Sequence, residues 1–125
     1  MHVLIVDDSS VMRKIVERSL RHAGLDIAEV IEAGNGAEAL TVLNHCKVDL
    51  ILSDINMPVM NGLDFIKQLP GVANAKDVPV VMITTEASET HVAQAISAGA
   101  RGYIRKPFTP AQVKELVVSM LVKRQ

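Results

Sequence analysis

Residues 50–58 read Leu50-Ile51-Leu52-Ser53-Asp54-Ile55-Asn56-Met57-Pro58, a short aliphatic run with an acid just beyond it and a proline that turns the chain away. A run without polar alternation suits a strand covered on both faces. Four more such runs occur, at Val3 to Val6, Ile27 to Ile31, Val80 to Thr84 and, more weakly, Gly102 to Ile104. Between them lie amphipathic stretches. After the first run, Met12, Ile15, Val16 and Leu20 form a stripe at helical spacing that closes at Gly24. Asn35-Gly36-Ala37-Glu38 opens a second helix through Leu40 and Leu43, and Asn61 opens a third. Ser88 opens a fourth, with Val92, Ala95 and Ile96, that ends at Gly99. The last helix has Thr109 as cap, Pro110 at its first position and Gln112 three residues after the cap, followed by the stripe Val113, Leu116, Val117, Met120 and Leu121. Five alternations of strand and helix predict an α/β domain, a parallel sheet with helices on both faces. The irregular stretch from Pro70 to Pro79 is expected to be a loop before the fourth strand.

Composition agrees with one domain over residues 1–125. The chain is 49% apolar with one tyrosine, two phenylalanines and no tryptophan, so its core must be aliphatic. Thirteen basic and fourteen acidic side chains give a net charge of -1, which lacks the electrostatic footprint of a dedicated nucleic-acid binder. The lone Cys46 cannot form an internal disulfide. The opening Met1-His2-Val3-Leu4-Ile5-Val6 reaches Asp7 and Asp8 before a signal-peptide core develops, and no apolar stretch approaches a membrane span. A cytoplasmic protein without membrane partners is the expectation.

In an open parallel sheet, ligands bind beyond the carboxyl ends of the strands. The residues there are Asp7 and Asp8 after the first run, Asp54 and Asn56 after the third, Thr84 and Thr85 after the fourth, and Lys106 after the fifth. The end of the second run, Glu32-Ala33-Gly34, is less distinctive. Each residue alone reads as a turn former, a cap or a solvated charge. Together, carboxylates, a hydroxyl and an ammonium at one end of the sheet exceed what capping requires. Two carboxylates ~4 Å apart repel by roughly 4 kcal/mol at an effective dielectric near 20, so a cation must offset them. Oxygen-only donors suit Mg²⁺, whereas His2, His22, His45 and His91 show no zinc spacing. A carboxylate left over from the metal can attack a phosphoryl group, and Asp54, on the expected central strand, is the best placed. Lys106 and Thr84 would then serve the phosphoryl oxygens. No nucleotide-binding glycine loop is present.

The acidic pair Asp7-Asp8, the run Asp54 to Pro58 followed by Gly62, Thr84, and Tyr103 ahead of Lys106-Pro107-Phe108, taken in order, resemble the receiver domains of bacterial two-component response regulators. The resemblance spans the first strand to the last helix, and Asp8-Ser9-Ser10-Val11-Met12-Arg13-Lys14 resembles the stand-alone chemotaxis branch in particular. It implies a doubly wound, flavodoxin-like (βα)5 three-layer sandwich with strand order 2-1-3-4-5, an order taken from the family and not from the residues. It further implies that Asp54 accepts a phosphoryl group from a phosphohistidine of a histidine kinase or phosphotransfer protein. Mg²⁺ would be held by Asp8 directly, Asp7 largely through water, Asp54 and the backbone carbonyl of Asn56. Thr84 and Tyr103 would switch the surface of the fourth helix, fifth strand and fifth helix toward a downstream target such as the flagellar motor switch. Asn56 and Glu86 would tune dephosphorylation, Thr85 replaces a commoner alanine, and the Lys106-Pro107 bond would be cis. Such a protein is not a conventional enzyme, although it catalyses its own phosphorylation and slow dephosphorylation.

The basic residues Arg13, Lys14, Arg18 and Arg21 on the first helix read as a solvated face or as a docking surface for an acidic partner. Met57 and Met60 are expected to be exposed. An aspartate-nucleophile phosphatase acting on small molecules is the competing reading, and an excised piece of a larger regulator is another. With the residues running out after the fifth helix, a monomer that signals by diffusion is expected.

Overall fold

The computed structural model describes residues 1–84, 89–106 and 108–124. Five strands, β1 (His2–Val6), β2 (Glu29–Ala33), β3 (Leu50–Asp54), β4 (Val80–Thr84) and β5 (Gly102–Arg105), alternate with helices α1 (Ser10–His22), α2 (Gly36–His45), α3 (Gly62–Gln68), α4 (Glu89–Ala98) and α5 (Pro110–Arg124). All strand pairs are parallel and the sheet order is β2-β1-β3-β4-β5. This is the flavodoxin-like doubly wound arrangement that the sequence resemblance implies. Among the described residues no helix is long and apolar enough to cross a membrane.

The unbroken apolar runs divide their side chains between two cores, because successive strand residues point to opposite faces. Leu4 and Val6 join Ile51 and Met82 beneath Ala39 and Leu43 of α2, Phe65 and Ile66 of α3, and Ala95 of α4. Val3 and Ile5 join Leu50, Leu52, Val81 and Ile83 beneath Val16 and Leu20 of α1 and Val113 and Val117 of α5. Each core therefore needs helices of its own, which is why the helices lie on both faces.

Several expectations shift. The second strand is Glu29–Ala33 rather than Ile27 to Ile31, because pairing with β1 sets it in the register His2 to Glu29 through Val6 to Ala33. Ile27 stays buried just outside it, so the apolar run marks burial rather than pairing. The stretch from Pro70 to Pro79 contains two short 3-10 turns, at Leu69–Gly71 and Ala73–Ala75. Ile15 and Ile96 are about half exposed although they lie on the expected apolar stripes. Asn35 and Asn61 cap α2 and α3 as expected, and Gly24 adopts φ +83 just after α1. Thr109 and Gln112 form a reciprocal capping box, with side chain and backbone bonded in both directions at 3.2 and 2.8 Å. Ser88, and the side chains of Met120 and Leu121, lie outside the described residues.

Candidate functional site

The chain runs from β1 outward to β2, then crosses back over β1 to β3, so the winding direction reverses between β1 and β3. The strand tips there diverge into loops on opposite sides and leave a crevice, the natural ligand position of such a sheet. Asp7 follows the last residue of β1, and Asp54 is the last residue of β3. With Asp8, each offers a carboxylate oxygen, and the three oxygens lie within 4.8 Å of one another.

The two adjacent acids differ sharply. Asp7 is buried and both its carboxylate oxygens are occupied: Oδ1 accepts the Ser9 amide at 2.9 Å and Oδ2 accepts Lys106 Nζ at 2.8 Å. Asp8 is exposed. Lys106, with a side chain only 9% exposed, also stands 3.6 Å from Asp54 Oδ2. Asp54 Oδ1 accepts the Ile55 amide at 2.7 Å, which orients the carboxylate. Burial pushes the Asp54 carboxyl above its ordinary range and nearby Asp7 adds to this, while Lys106 and the amides of Ile55 and Asn56 pull against them. Among the described residues, three carboxylates thus face one ammonium. That excess of negative oxygen donors, with no sulfur or imidazole among them, fits a hard divalent cation such as Mg²⁺.

Gly62 fixes the height of the phosphoacceptor candidate. Its amide donates to Ile55 O at 2.8 Å, and a Cβ at this position would lie 2.2 Å from the Asp54 carbonyl oxygen. Only glycine lets α3 begin directly against the backbone of Asp54. Between them the loop bulges outward, with Val59 85% exposed and at φ +67, a conformation that β-branched residues rarely adopt. Met57 and Met60 are not the exposed residues of this loop; both are partly buried against the α2 and α3 side of the core.

Thr84 ends β4 one residue beyond Ile83, the register partner of Asp54, and is buried. Its backbone carbonyl accepts the Lys106 amide at 2.8 Å, so the fourth and fifth strand tips are tied together beside the acids. Asn56 is exposed in the loop after Asp54. Tyr103 lies on the edge strand β5, 45% exposed, beside a groove formed with Gln112, Glu115 and Leu116 of α5, apart from the acids. Phe108 packs against the α1 and α5 core. Thr85, Glu86 and the Lys106-Pro107 bond lie outside the described residues.

The basic first helix is less basic in space than in sequence. Arg13 and Lys14 each approach Glu32 to 2.9 Å, and Arg21 lies 3.2 Å from Glu17. Three of its four cations therefore already have intramolecular carboxylates, which weakens the reading of an open basic docking face. Sequence reasoning did not single out Arg13 and Glu32 as a pair, because they lie on different elements and nothing local links them. Ser9, whose hydroxyl caps α1 at the Met12 amide, was not singled out as a cap either, although a serine between an acidic strand tip and a helical stripe carries that signal.

Comparison with known proteins places this geometry among relatives. A family model described as the response regulator receiver domain matches residues 3–118. Chemotaxis protein CheY1 of Helicobacter pylori is 42% identical over 116 residues, covering 92% of each chain. The structure of chemotaxis response regulator CheY4 of Vibrio cholerae superposes with a TM-score of 0.78 at 37% identity, covering 99% of this chain and 98% of that one. The receiver domain of a sensor histidine kinase from Pseudomonas aeruginosa PAO1 superposes with a TM-score of 0.84 at 25% identity over 97% of both chains, and carries a magnesium ion coordinated in its active-site cleft. These similarities do not favour the small-molecule phosphatase reading.

Proposed function

The chain belongs to the response regulator receiver domain family, and from that premise we propose that it is a switch set by phosphorylation of Asp54, with a histidine kinase or phosphotransfer protein as donor and a chemotaxis target such as the flagellar motor switch as reader. The observation that carries this reading is the cluster of Asp7, Asp8 and Asp54 oxygens within 4.8 Å at the winding reversal, balanced by Lys106 alone among the described residues. Asp8, exposed and adjacent to a fully engaged Asp7, would hold the metal directly; Asp7 would contribute through water, and Asp54 and the Asn56 carbonyl would complete the protein donors. Bound Mg²⁺ would supply positive charge to phosphoryl oxygens as negative charge builds on them.

The chain's own residues account for the rest. Asp54 is held by the Ile55 amide through one oxygen, which limits its rotation and presents the other to the crevice. In transfer, an Asp54 oxygen forms the new bond to phosphorus while the bond from phosphorus to the donor imidazole nitrogen breaks, the electron pair leaving with the imidazole. Lys106, 3.6 Å from Asp54 Oδ2, is near enough to pair with the oxygens of a phosphoryl group placed there. The Thr84 hydroxyl is the neutral donor on the other side, and its inward shift would reach Tyr103 through β4 and β5, where Met82 and Tyr103 are register partners. Asn56 and Glu86 set the access of water, and the molecule works as a single domain.

A small phosphodonor such as acetyl phosphate with Mg²⁺ should add one phosphoryl group per chain, read by intact mass. Asp54→Asn should abolish the addition, and undiminished labelling of that variant would overturn the assignment.

A further inference from the structure

The Asp7 peptide is held from every side. Its amide donates to Ala33 O of β2 at 3.0 Å, its carboxylate takes Ser9 and Lys106, and its carbonyl accepts Arg13 Nη1 at 2.5 Å. Arg13 is in turn gripped through Nε by Glu32 Oε1 of β2 at 2.9 Å, and the second Glu32 oxygen takes Lys14 Nζ at 2.9 Å. The Arg13 and Glu32 side chains are only 18% and 28% exposed, whereas Lys14 is 64% exposed, so the Arg13 contact is the sheltered one. The carbonyl that Arg13 holds belongs to the planar peptide joining Asp7 to Asp8, and holding that plane holds the Asp8 amide and Cα, the point from which the Asp8 side chain departs.

We propose that Arg13, clamped by Glu32, is a positioning residue for the Asp7-Asp8 pair, holding the backbone from which Asp8 reaches a divalent cation. The inference rests on the reading of Asp7 and Asp8 as metal ligands. The chemistry favours arginine. A guanidinium fork donates to the Asp7 carbonyl and to Glu32 from a rigid plane, whereas a lysine ammonium is a point charge on a flexible stem. Glu32 also neutralises Arg13, so this cation is directed at a carbonyl and a remote acid instead of competing with a metal for Asp8. The arrangement ties edge strand β2 to the metal pair without placing any β2 side chain among the ligands, as outer partners of metal ligands commonly do.

Mg²⁺ titration of the whole protein, followed through the amide NMR signals of Asp8 and Asn56, tests this. Arg13→Ala is expected to weaken Mg²⁺ binding about tenfold, the lower end of the effect of outer partners on metal affinity. Arg13→Lys should be weakened nearly as much, because it keeps the charge and loses the fork. Glu32→Gln, which keeps an oxygen acceptor, should lose less. The metal-free melting temperature of each variant separates positioning from bulk stability. Lower melting temperatures with unchanged Mg²⁺ affinity of the folded protein would overturn the inference, as would full retention of affinity in Arg13→Lys. Should Arg13→Ala fail to fold, the Lys and Gln variants decide. A wild-type protein that binds no Mg²⁺ would instead remove the metal reading itself, and this inference with it.

Discussion

The bodies and the tips of the same strands obey opposite rules. In β3, Leu50, Ile51 and Leu52 are fully buried between two apolar cores, and each such side chain taken out of water contributes about 1.5–3 kcal/mol. At the end of that strand stands Asp54, in a cluster of three carboxylates that faces only one ammonium among the described residues. The repulsion that Lys106 leaves unbalanced at the tips is tolerable because the bodies are so well buried. The difference teaches where to look for function in this molecule: at the positions where the structure holds groups that would be more stable elsewhere.

Substitutions in the two regions should therefore separate stability from chemistry. The largest stability effect is expected in the body. Phe65 of α3 is completely buried against the sheet, and Phe65→Ala should cost about 3–5 kcal/mol, read by chemical denaturation. A protein that remains folded should still bind Mg²⁺; loss of the metal site at intact fold would break the division between body and tip. Gly62→Ala probes the seam between them. Its Cβ would press on the Asp54 carbonyl oxygen and on Met82 Cε, at 2.2 and 2.8 Å, so the loop must move. A loss of about 1–3 kcal/mol is expected, together with a slower reaction of Asp54 with acetyl phosphate. A stability loss with an unchanged rate would mean that the seam supports the fold without aiming Asp54.

How much of this could be read beforehand follows the same boundary. The strand bodies were legible because burial on both faces forces unbroken aliphatic runs, and Val80 to Thr84 matches its strand residue for residue. At the sheet edge the signal weakened: β2 slid by two residues because Ile27 is buried without being paired. The caps Asn35, Asn61 and Thr109 were legible since capping is a local bond between residues three apart. The acids and Lys106 were legible as a set, because strand ends converge once the sheet is parallel. The bonds within the set were not. That Lys106 engages Asp7 more closely than Asp54, or that Arg13 turns back onto the Asp7 carbonyl, depends on side-chain paths between elements distant in sequence.

The smallest expected effect has the opposite sign. Asp54 is an acid whose carboxyl is pushed up, by burial first and by Asp7 in support, so the folded protein binds its proton more tightly than the unfolded chain does. The favourable contribution of this group is complete below the ordinary carboxylate range, near pH 4, and is lost as pH rises through the higher folded value. At neutral pH the ionised Asp54 is then a liability of the metal-free fold. Asp54→Asn removes the charge and leaves Lys106 its closer partner Asp7 at 2.8 Å. The variant should be more stable by on the order of 1 kcal/mol at pH 7 without Mg²⁺, the size of other single stabilising changes. In thermal melts across pH, its advantage should shrink as the pH falls through the raised folded value of Asp54 and be gone below pH ~4, where the wild type is protonated both folded and unfolded. Mg²⁺ should narrow the advantage at neutral pH by stabilising the wild type through the very carboxylate the variant lacks. An Asp54→Asn protein that melts lower at neutral pH would show that the attraction of Lys106 outweighs burial and repulsion, and that this strand tip is no less stable than the body beneath it.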